Sequence, residues 1–471
     1  MTTSSRSITV EQPDEAWPGE REAPANETAI VIMAALAGIL APLNSTMIVV
    51  ALPHIVRDLQ TSLAAADWLV TLYLITMATC QPVAGKLGDR FGRRPLIVGA
   101  LLYFFVASLG ATLAPNLLVL IFFRVQQGIA AGTALPNAMA LVREVVPESR
   151  RGSRFGLIGS ITSVAAAVGP PLGGILTGLI TWRAVFAVNL VLVAPALLVG
   201  WWAMPRSRSR AARPAFDLLG SILMGVVLIA CATLLIRAAH QPAPVNLALA
   251  VAIVVLGTAF IRHELAVADP VLQLRLFRRR TFAAGNTAIA LSNLAMYTVL
   301  LAIPLLAARS HHISPVQTGL ILAALSAANV IASPIGGRLA DRYGRRRPAV
   351  AGLTLFTAAL LPLPLTGVAA HPIPLAVTLA VAGVGLGLAW SGIFTAVVES
   401  VAPSEAGMAS GLSSTARYYG SIVGTSLLAS LVVGSSGAAG FLPVFVLVAV
   451  AAAISALAVL FVDDRPRPAL S

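Results

Sequence analysis

Charge and cysteine are both scarce in this sequence. Only 11% of its 471 residues are charged, about half of the share that is usual in soluble domains. The two cysteines, Cys80 and Cys231, fall within apolar stretches, so neither a disulfide framework nor a cysteine-based metal site is predicted. The sequence has no GxxxxGK[S/T] phosphate loop and no catalytic triad. It therefore predicts neither ATP-driven transport nor an enzyme, and no cofactor is expected.

Apolar residues take the place of the missing charge. Hydrophobic residues make up 58% of the chain, and the mean hydropathy is +0.87. Apolar runs of about 20 residues, the length that crosses a bilayer, recur from residue 29 to residue 462. The sequence therefore predicts an all-α membrane protein with about fourteen spans, placed roughly at residues 29–53, 66–84, 95–114, 116–140, 154–180, 183–204, 217–237, 245–263, 282–308, 316–338, 347–368, 373–398, 407–434 and 440–462.

The net charge is +13, and the positive residues concentrate on one predicted side of the membrane. Lys and Arg concentrate in alternate loops, and the predicted outer loops hold only Arg57, Arg183, Arg237 and Arg309. Such an excess marks the cytoplasmic side of a membrane protein, so both termini are predicted to be cytoplasmic, in the cell membrane. The lipid bilayer, and not nucleic acid, is the expected partner of this charge. Residues 1–28 and 463–471 are predicted to be cytoplasmic tails, the first of them disordered.

A ten-residue charged segment is duplicated between apolar runs. The first hinge, Gly85–Arg94, reads GKLGDRFGRR, and the second hinge, Gly337–Arg346, reads GRLADRYGRR 252 positions later. Duplication at equivalent places indicates two structurally equivalent halves, as in secondary transporters. The predicted division is a six-helix bundle at residues 29–204, a linker with two extra transmembrane helices at 205–281, and a second six-helix bundle at 282–462.

The two hinges are predicted to control conformational change. Each places an acid among several cations, and such a cluster can hold one conformation and release it in another. The alternative is a loop that only sets topology. In the fifth span, glycines and prolines leave a small, bent helix face, which suits either a bundle that rocks or simple close packing. The predicted conformational residues are Gly85, Asp89, Arg90, Gly92, Arg93, Asp341, Arg342, Gly169, Pro170, Gly173 and Gly174.

These motifs resemble a known family. The GxLxDRxGRR pattern of the first hinge is similar to the signature loop of the major facilitator superfamily, and Arg124–Gly132 is similar to the pattern of its fourth span. Gly169–Gly174, which reads GPPLGG, resembles the GPxxGG motif of its exporters. Asp217–Gly220 resembles the start of the extra span pair in the fourteen-span drug:proton antiporter group. The resemblance implies a major facilitator fold and transport by alternating access.

One position departs from the pattern of that group. The first span resembles the LDxTxVNxALP pattern, but Asn44 stands where the pattern has Asp, and an amide cannot titrate. The 19 acidic residues all fall in tails, loops or span ends, and Asp67, at the outer end of the second span, comes nearest to a cavity. Proton coupling would therefore use Asp67 or would be absent.

Two cations, by contrast, fall inside predicted spans. Burying Arg124 or Arg417 costs at least about 2.5–3.5 kcal/mol at the membrane centre, so each is expected to face the protein interior. The counterpart of Arg124 in the other half is Leu379, which indicates a function for Arg124. The resemblance implies a role in proton coupling, and the alternative is a structural bond to backbone carbonyls. An anionic or amphipathic ligand would suit both arginines, and the alternative is that both are satisfied within the protein.

The sequence thus predicts a secondary transporter that exports drugs or other amphipathic compounds in exchange for protons. Two alternatives stay open: a lipid or metabolite transporter without that coupling, which Asn44 favours, and a membrane sensor or scaffold that does not transport. The expected partners are a small amphipathic substrate, protons and lipid, and the protein is expected to be a monomer. The residues predicted to line the cavity or couple transport are Asn44, Asp67, Gln81, Arg124, Gln126, Gln127, Asn189 and Arg417.

Overall fold

The computed structural model describes residues 27–203, 217–237, 241–267, 270–310, 313–366, 371–402, 405–432 and 438–464. Most of the two predicted tails and part of the predicted linker lie outside these ranges. All sixteen α-helices of the described residues are α1 Glu27–Asp58, α2 Leu63–Ala66, α3 Trp68–Phe91, α4 Arg93–Thr112, α5 Leu117–Val145, α6 Glu148–Leu179, α7 Ala184–Ala203, α8 Leu218–Arg237, α9 Ala243–Ala266, α10 Arg280–Ser310, α11 Pro315–Tyr343, α12 Arg346–Leu360, α13 Leu363–Thr366, α14 Pro372–Glu399, α15 Ala406–Val432 and α16 Leu442–Val459.

The helices confirm the predicted all-α membrane fold. Eleven helices of the described residues are long and apolar enough to cross a membrane, so the chain is a multi-pass membrane protein. Every predicted span has a helix at its place, and most helices extend a few residues beyond the predicted limits. The predicted span 347–368 differs, because it divides into α12 and the short α13. Pro362, between the two, has no backbone N–H to continue the helix.

The two halves of the chain pack in the same pattern. In the first half, α1 packs on α6, α3 on α5 and α4 on α7; in the second, α10 packs on α15, α11 on α14 and α12 on α16. The two extra helices behave differently. The first of them, α8, packs on α3 and on α15 and so contacts both halves, whereas α9 packs on α8 and on the turn Leu274–Arg278.

Each hinge turns at a glycine. Gly92 has a φ of 89° and Gly344 a φ of 90°, in the left-handed region that favours glycine. A Cβ on Gly85 would meet nothing within 4 Å, so close packing is not what requires a glycine there. The side chain of Asp89 lies outside the described part of the structure. The end of the molecule that carries both hinges is called the hinge end below, and the opposite end is called the far end.

An ion pair follows each turn. Arg93 Nε is 2.7 Å from Glu144 Oε1, and Arg345 Nη2 is 2.9 Å from Glu399 Oε1. The glutamates lie near the ends of α5 and α14, so each pair ties a hinge to another helix of its own half. Asp341 also pairs with Arg345. Hydrogen bonds to Glu399 and then Asp341 hold the pKa of Arg345 above its usual value, which keeps the guanidinium charged.

Two further hinge arginines, Arg90 and Arg342, lie along the exterior of the hinge end. Both are exposed, and each guanidinium carbon is 5.3 Å from the centroid of the next aromatic ring, that of Phe91 or Tyr343. Contacts of this kind are worth about 0.5–1 kcal/mol at exposed sites. The same contact at equivalent places shows that the duplication extends to side-chain geometry.

Candidate substrate cavity

Small residues bring the two halves together at the far end. In the GPPLGG segment of α6, Gly169 and Gly173 face α1 of the same half. Gly174 faces the other half, where a Cβ would lie 2.5 Å from the carbonyl oxygen of Pro315. On α11, a Cβ on Gly319 would lie 2.7 Å from the α6 backbone. Only glycine permits backbones to approach this closely, so the motif closes the far end between the halves.

A cavity of about 230 Å³ lies between the two halves, near the middle of their helices. Its walls come from α1, α3, α5 and α6 of the first half and from α10, α11, α14 and α15 of the second. Most of the lining is apolar or hydroxyl-bearing, with three aromatic side chains, Tyr297, Trp390 and Tyr418. Of the described residues that line it, Arg417 is the one charged residue, and none is a carboxylate.

Arg417 and Gln81 meet at a tyrosine. Arg417 Nη2 donates to Tyr418 Oη at 3.4 Å, and Gln81 Nε2 donates to the same oxygen at 3.2 Å. The guanidinium carbon also lies 5.1 Å from the Tyr418 ring centroid and 5.7 Å from that of Trp390. In the described residues Arg417 has no ion pair. The structure thus brings together two predicted site residues, one from each half, at Tyr418; Arg417 lines the cavity, whereas Gln81 is not among its lining residues.

A second polar contact crosses between the halves beside the cavity. Ser45 Oγ and Tyr297 Oη are 3.2 Å apart, and these residues are separated by 252 positions. The two hinges have the same separation, so Ser45 and Tyr297 occupy equivalent places in the repeat. Equivalent residues can touch only near the axis that relates the halves, which places this contact at the centre of the protein.

Asp67 lies between α2 and α3 and is 2% exposed. Its carboxylate Oδ2 accepts a hydrogen bond from Thr71 Oγ1 at 2.8 Å. Thr71 Oγ1 is in turn 3.1 Å from Thr425 Oγ1 on α15. A single hydroxyl group therefore connects a buried acid to the second half. Asp67 itself does not belong to the cavity lining.

Arg124 is fully buried within the first half. Its Nε donates to the carbonyl of Leu69 at 3.0 Å, and its Nη1 donates to Gln127 Oε1 at 2.9 Å. The guanidinium carbon lies 4.1 Å from the centroid of the Tyr73 ring, and Gln127 continues the chain of bonds to Ser108 Oγ at 2.8 Å. Arg124 and Gln127 are thus brought together, but neither lines the cavity.

The three other predicted lining residues point elsewhere in this conformation. Asn44 and Asn189 exchange two hydrogen bonds, of 2.8 and 3.0 Å, and are at most 1% exposed. Each amide is bonded by the other and both are buried, so neither faces a ligand in this conformation. Gln126 is bonded by the exposed Tyr103 hydroxyl on the outside of α4 and α5. Successive helical residues are turned by about 100°, which is why Gln126 and its neighbour Gln127 face different surroundings.

Trp390 and Tyr297 line the cavity but were not predicted to do so. Aromatic residues make up only 6% of the chain, so an aromatic side chain within an apolar span is a usable signal.

Two acids at the ends of the extra spans, Asp217 and Glu264, are buried. Asp217 Oδ1 lies 2.6 Å from His263 Nε2, which links the start of α8 to α9. Glu264 Oε2 accepts from the backbone N–H of Leu272 at 2.6 Å, which links α9 to the chain that leads into α10.

The sequence matches the profile of the Major Facilitator Superfamily over residues 34–273 and 286–471. The chain belongs to this superfamily. Solved members share its fold at low identity: a D-xylose–proton symporter gives a TM-score of 0.64 at 15% identity over 93% of this chain and 98% of its own. The predicted major facilitator fold is therefore confirmed, and the protein is a transporter and not an enzyme.

Several curated relatives cover most of this superfamily member. An uncharacterized MFS-type transporter of Bacillus subtilis is 32% identical over 85% of this chain and 90% of its own. The multidrug resistance protein B homolog of Mycobacterium tuberculosis is 32% identical over 84% of this chain and 74% of its own. The tetracenomycin C resistance and export protein of Streptomyces glaucescens is 29% identical over 86% of this chain and 76% of its own.

Proposed function

We propose that this superfamily member exports small amphipathic compounds across the cell membrane, with both termini in the cytoplasm. The observation that carries this function is the cavity of about 230 Å³ between two equivalent halves, because a binding site at a repeat interface can be exposed to each side in turn. Its aromatic and hydroxyl-rich lining suits amphipathic molecules. The names of two relatives, a multidrug resistance protein and an antibiotic export protein, support export.

Asp67 is the proposed proton carrier of this transporter. It is buried, it has no ion pair in the described residues, and its bond to Thr71 connects it to Thr425 of the other half. Loss or gain of a proton on the carboxyl group changes whether it accepts or donates a hydrogen bond. Proton exchange would thereby act on a contact that holds the halves together.

A facilitator without proton coupling is the second candidate. The Asn44–Asn189 pair favours it, because the place of the expected titrating acid is occupied by an amide that cannot titrate and is bonded to Asn189. The two candidates differ in one measurable property. An antiporter responds to an imposed pH gradient, whereas a facilitator of an uncharged compound does not.

Flux through proteoliposomes distinguishes these two candidates. The probes are rhodamine 6G, 1-naphthalenesulfonate and 1-naphthalenesulfonamide, each measured with and without a pH gradient. We expect a gradient to accelerate wild-type flux and Asp67→Asn to abolish that acceleration. Asp58→Asn is the matched control, because Asp58 is an exposed acid at the same end that pairs with Arg183. Flux of no probe contradicts export, and coupling that survives Asp67→Asn contradicts the carrier.

A further inference from the structure

Arg417 places an unbalanced positive charge in the cavity wall. Among the described residues, the lining contains no carboxylate, and no ion pair involves Arg417. Its one hydrogen bond to a side chain goes to the neutral hydroxyl of Tyr418. A guanidinium in an apolar span is costly unless it is paired. A bound anion would supply the partner that the protein does not provide.

The side chains around Arg417 indicate what shape such an anion would have. The rings of Trp390 and Tyr418 lie within 5.7 Å of the guanidinium carbon and place aromatic surface beside the charge. A guanidinium can bind a planar anionic group through two hydrogen bonds. The amides of Asn293 and Asn329 also line the cavity. Together these side chains suit an aromatic body that carries one acidic group.

A second pocket repeats this charge pattern toward the far end. It has a volume of about 160 Å³ and lies between α1 and the α10–α11 corner. His54 and Arg57 belong to its lining, which has no carboxylate among the described residues. The neighbouring Asp58 is bonded to Trp182 and Arg183 of the loop before α7. Each of the two pockets thus has an arginine in its lining, a charge that favours anions over cations.

We propose that the substrate is an aromatic organic anion whose carboxylate or sulfonate binds Arg417. This inference rests on the proposed function of the cavity and names its substrate class. It departs from a broad specificity for amphipathic drugs, because a cationic compound of the same size would meet the uncompensated charge of Arg417. Neutral analogues would bind through the apolar wall alone.

Three naphthalene probes of nearly equal size test the charge preference. They are 1-naphthalenesulfonate, the neutral 1-naphthalenesulfonamide and the cationic 1-naphthylmethyltrimethylammonium. Binding to the full-length protein in lipid nanodiscs is measured by quenching of tryptophan fluorescence, and empty nanodiscs correct for partition into lipid. We expect the sulfonate to bind at least about tenfold more tightly than the sulfonamide, since a hydrogen bond to a charged group is worth about 1.5–3 kcal/mol.

Variants assign this preference to one side chain. Arg417→Gln is expected to weaken sulfonate binding roughly 10- to 100-fold and to leave sulfonamide binding unchanged, which also shows that the variant is folded. Arg417→Lys keeps the charge and should keep most of the preference. Arg262→Gln, at an exposed position of α9 outside the cavity, is the matched control and should change nothing.

The outcomes separate the substrate class from the transport function. Equal or tighter binding of the sulfonamide or the ammonium probe by the wild type overturns the anion proposal, as does a sulfonate preference that survives Arg417→Gln. If the sulfonamide is still carried across proteoliposomes in either case, export of amphipathic compounds stands and only the substrate class is wrong. If the wild type transports none of the three probes, the proposed function fails with it.

Discussion

Gly174→Ala should shift the conformational equilibrium of the two halves. The new methyl group would lie 2.5 Å from the carbonyl oxygen of Pro315 and 3.2 Å from the Cα of Gly319. Both neighbours are backbone atoms, so they cannot rotate away, and α6 and α11 must separate at the far end. Overpacking of this kind costs about 1–3 kcal/mol. If the far end opens during transport, that cost is relieved in the open state, and the open-to-closed ratio rises roughly 5- to 150-fold.

Distances between two spin labels would measure this shift. Leu113→Cys at the end of α4 and Ile373→Cys at the start of α14 provide one exposed far-end position in each half, at 70% and 76% exposure. Cys80 and Cys231 are replaced by alanine beforehand. We expect Gly174→Ala to increase the population with the longer distance.

Gly99→Ala is the control for this measurement. It is the same chemical change on α4, but a Cβ at Gly99 would meet nothing within 4 Å. Its distance distribution should match that of the wild type. Identical distributions for Gly174→Ala and Gly99→Ala would refute the reasoning, because the α6–α11 contact would then not determine whether the far end is closed.

Two further predictions concern stability, each measured as a thermal unfolding midpoint in nanodiscs. Asn44→Leu should lower the free energy of unfolding by about 1–3 kcal/mol, because it leaves the buried Asn189 amide without its partner; adding Asn189→Leu should restore part of the loss, and strictly additive losses would contradict a reciprocal pair. Glu264→Ala should cost a similar amount, because it leaves the buried N–H of Leu272 without its acceptor. Glu405→Ala removes a partly exposed ion pair and a bond from the partly buried N–H of Ala402. It should cost less than about 1 kcal/mol, because water can replace both contacts, and equal losses for the two glutamates would contradict the account.

The fold could be predicted because its signals are long and repeated. Apolar runs of span length indicate membrane helices whatever their neighbours are, and the hinge at Gly85–Arg94 returns at Gly337–Arg346. The repeat also gives Arg93 and Arg345 equivalent positions, and their glutamate partners lie at equivalent helix ends. Apolar runs and repeats can be recognised in the sequence without knowing which helices are neighbours.

The site could be predicted only in part, because the lining depends on how helices face one another. Gln126 and Gln127 are adjacent in sequence, yet the first bonds outward to Tyr103 and the second holds Arg124. Asn44 was singled out for the acid it replaces, but its partner Asn189 on another helix determines its surroundings. The sequence shows which polar groups enter the membrane, and the helix packing decides which of them a substrate can reach.

Transport through the central cavity is tested most directly by filling that cavity. Ala166 on α6 lines it, and Ala166→Trp would place an indole in a space of about 230 Å³. Val254→Trp adds the same side chain type at a lipid-facing position of α9 that is 67% exposed. The measurement is the flux, through proteoliposomes, of the naphthalene probe that the wild type carries fastest. The account predicts that Ala166→Trp abolishes this flux while Val254→Trp retains it, and wild-type flux in folded Ala166→Trp would contradict a route through the cavity.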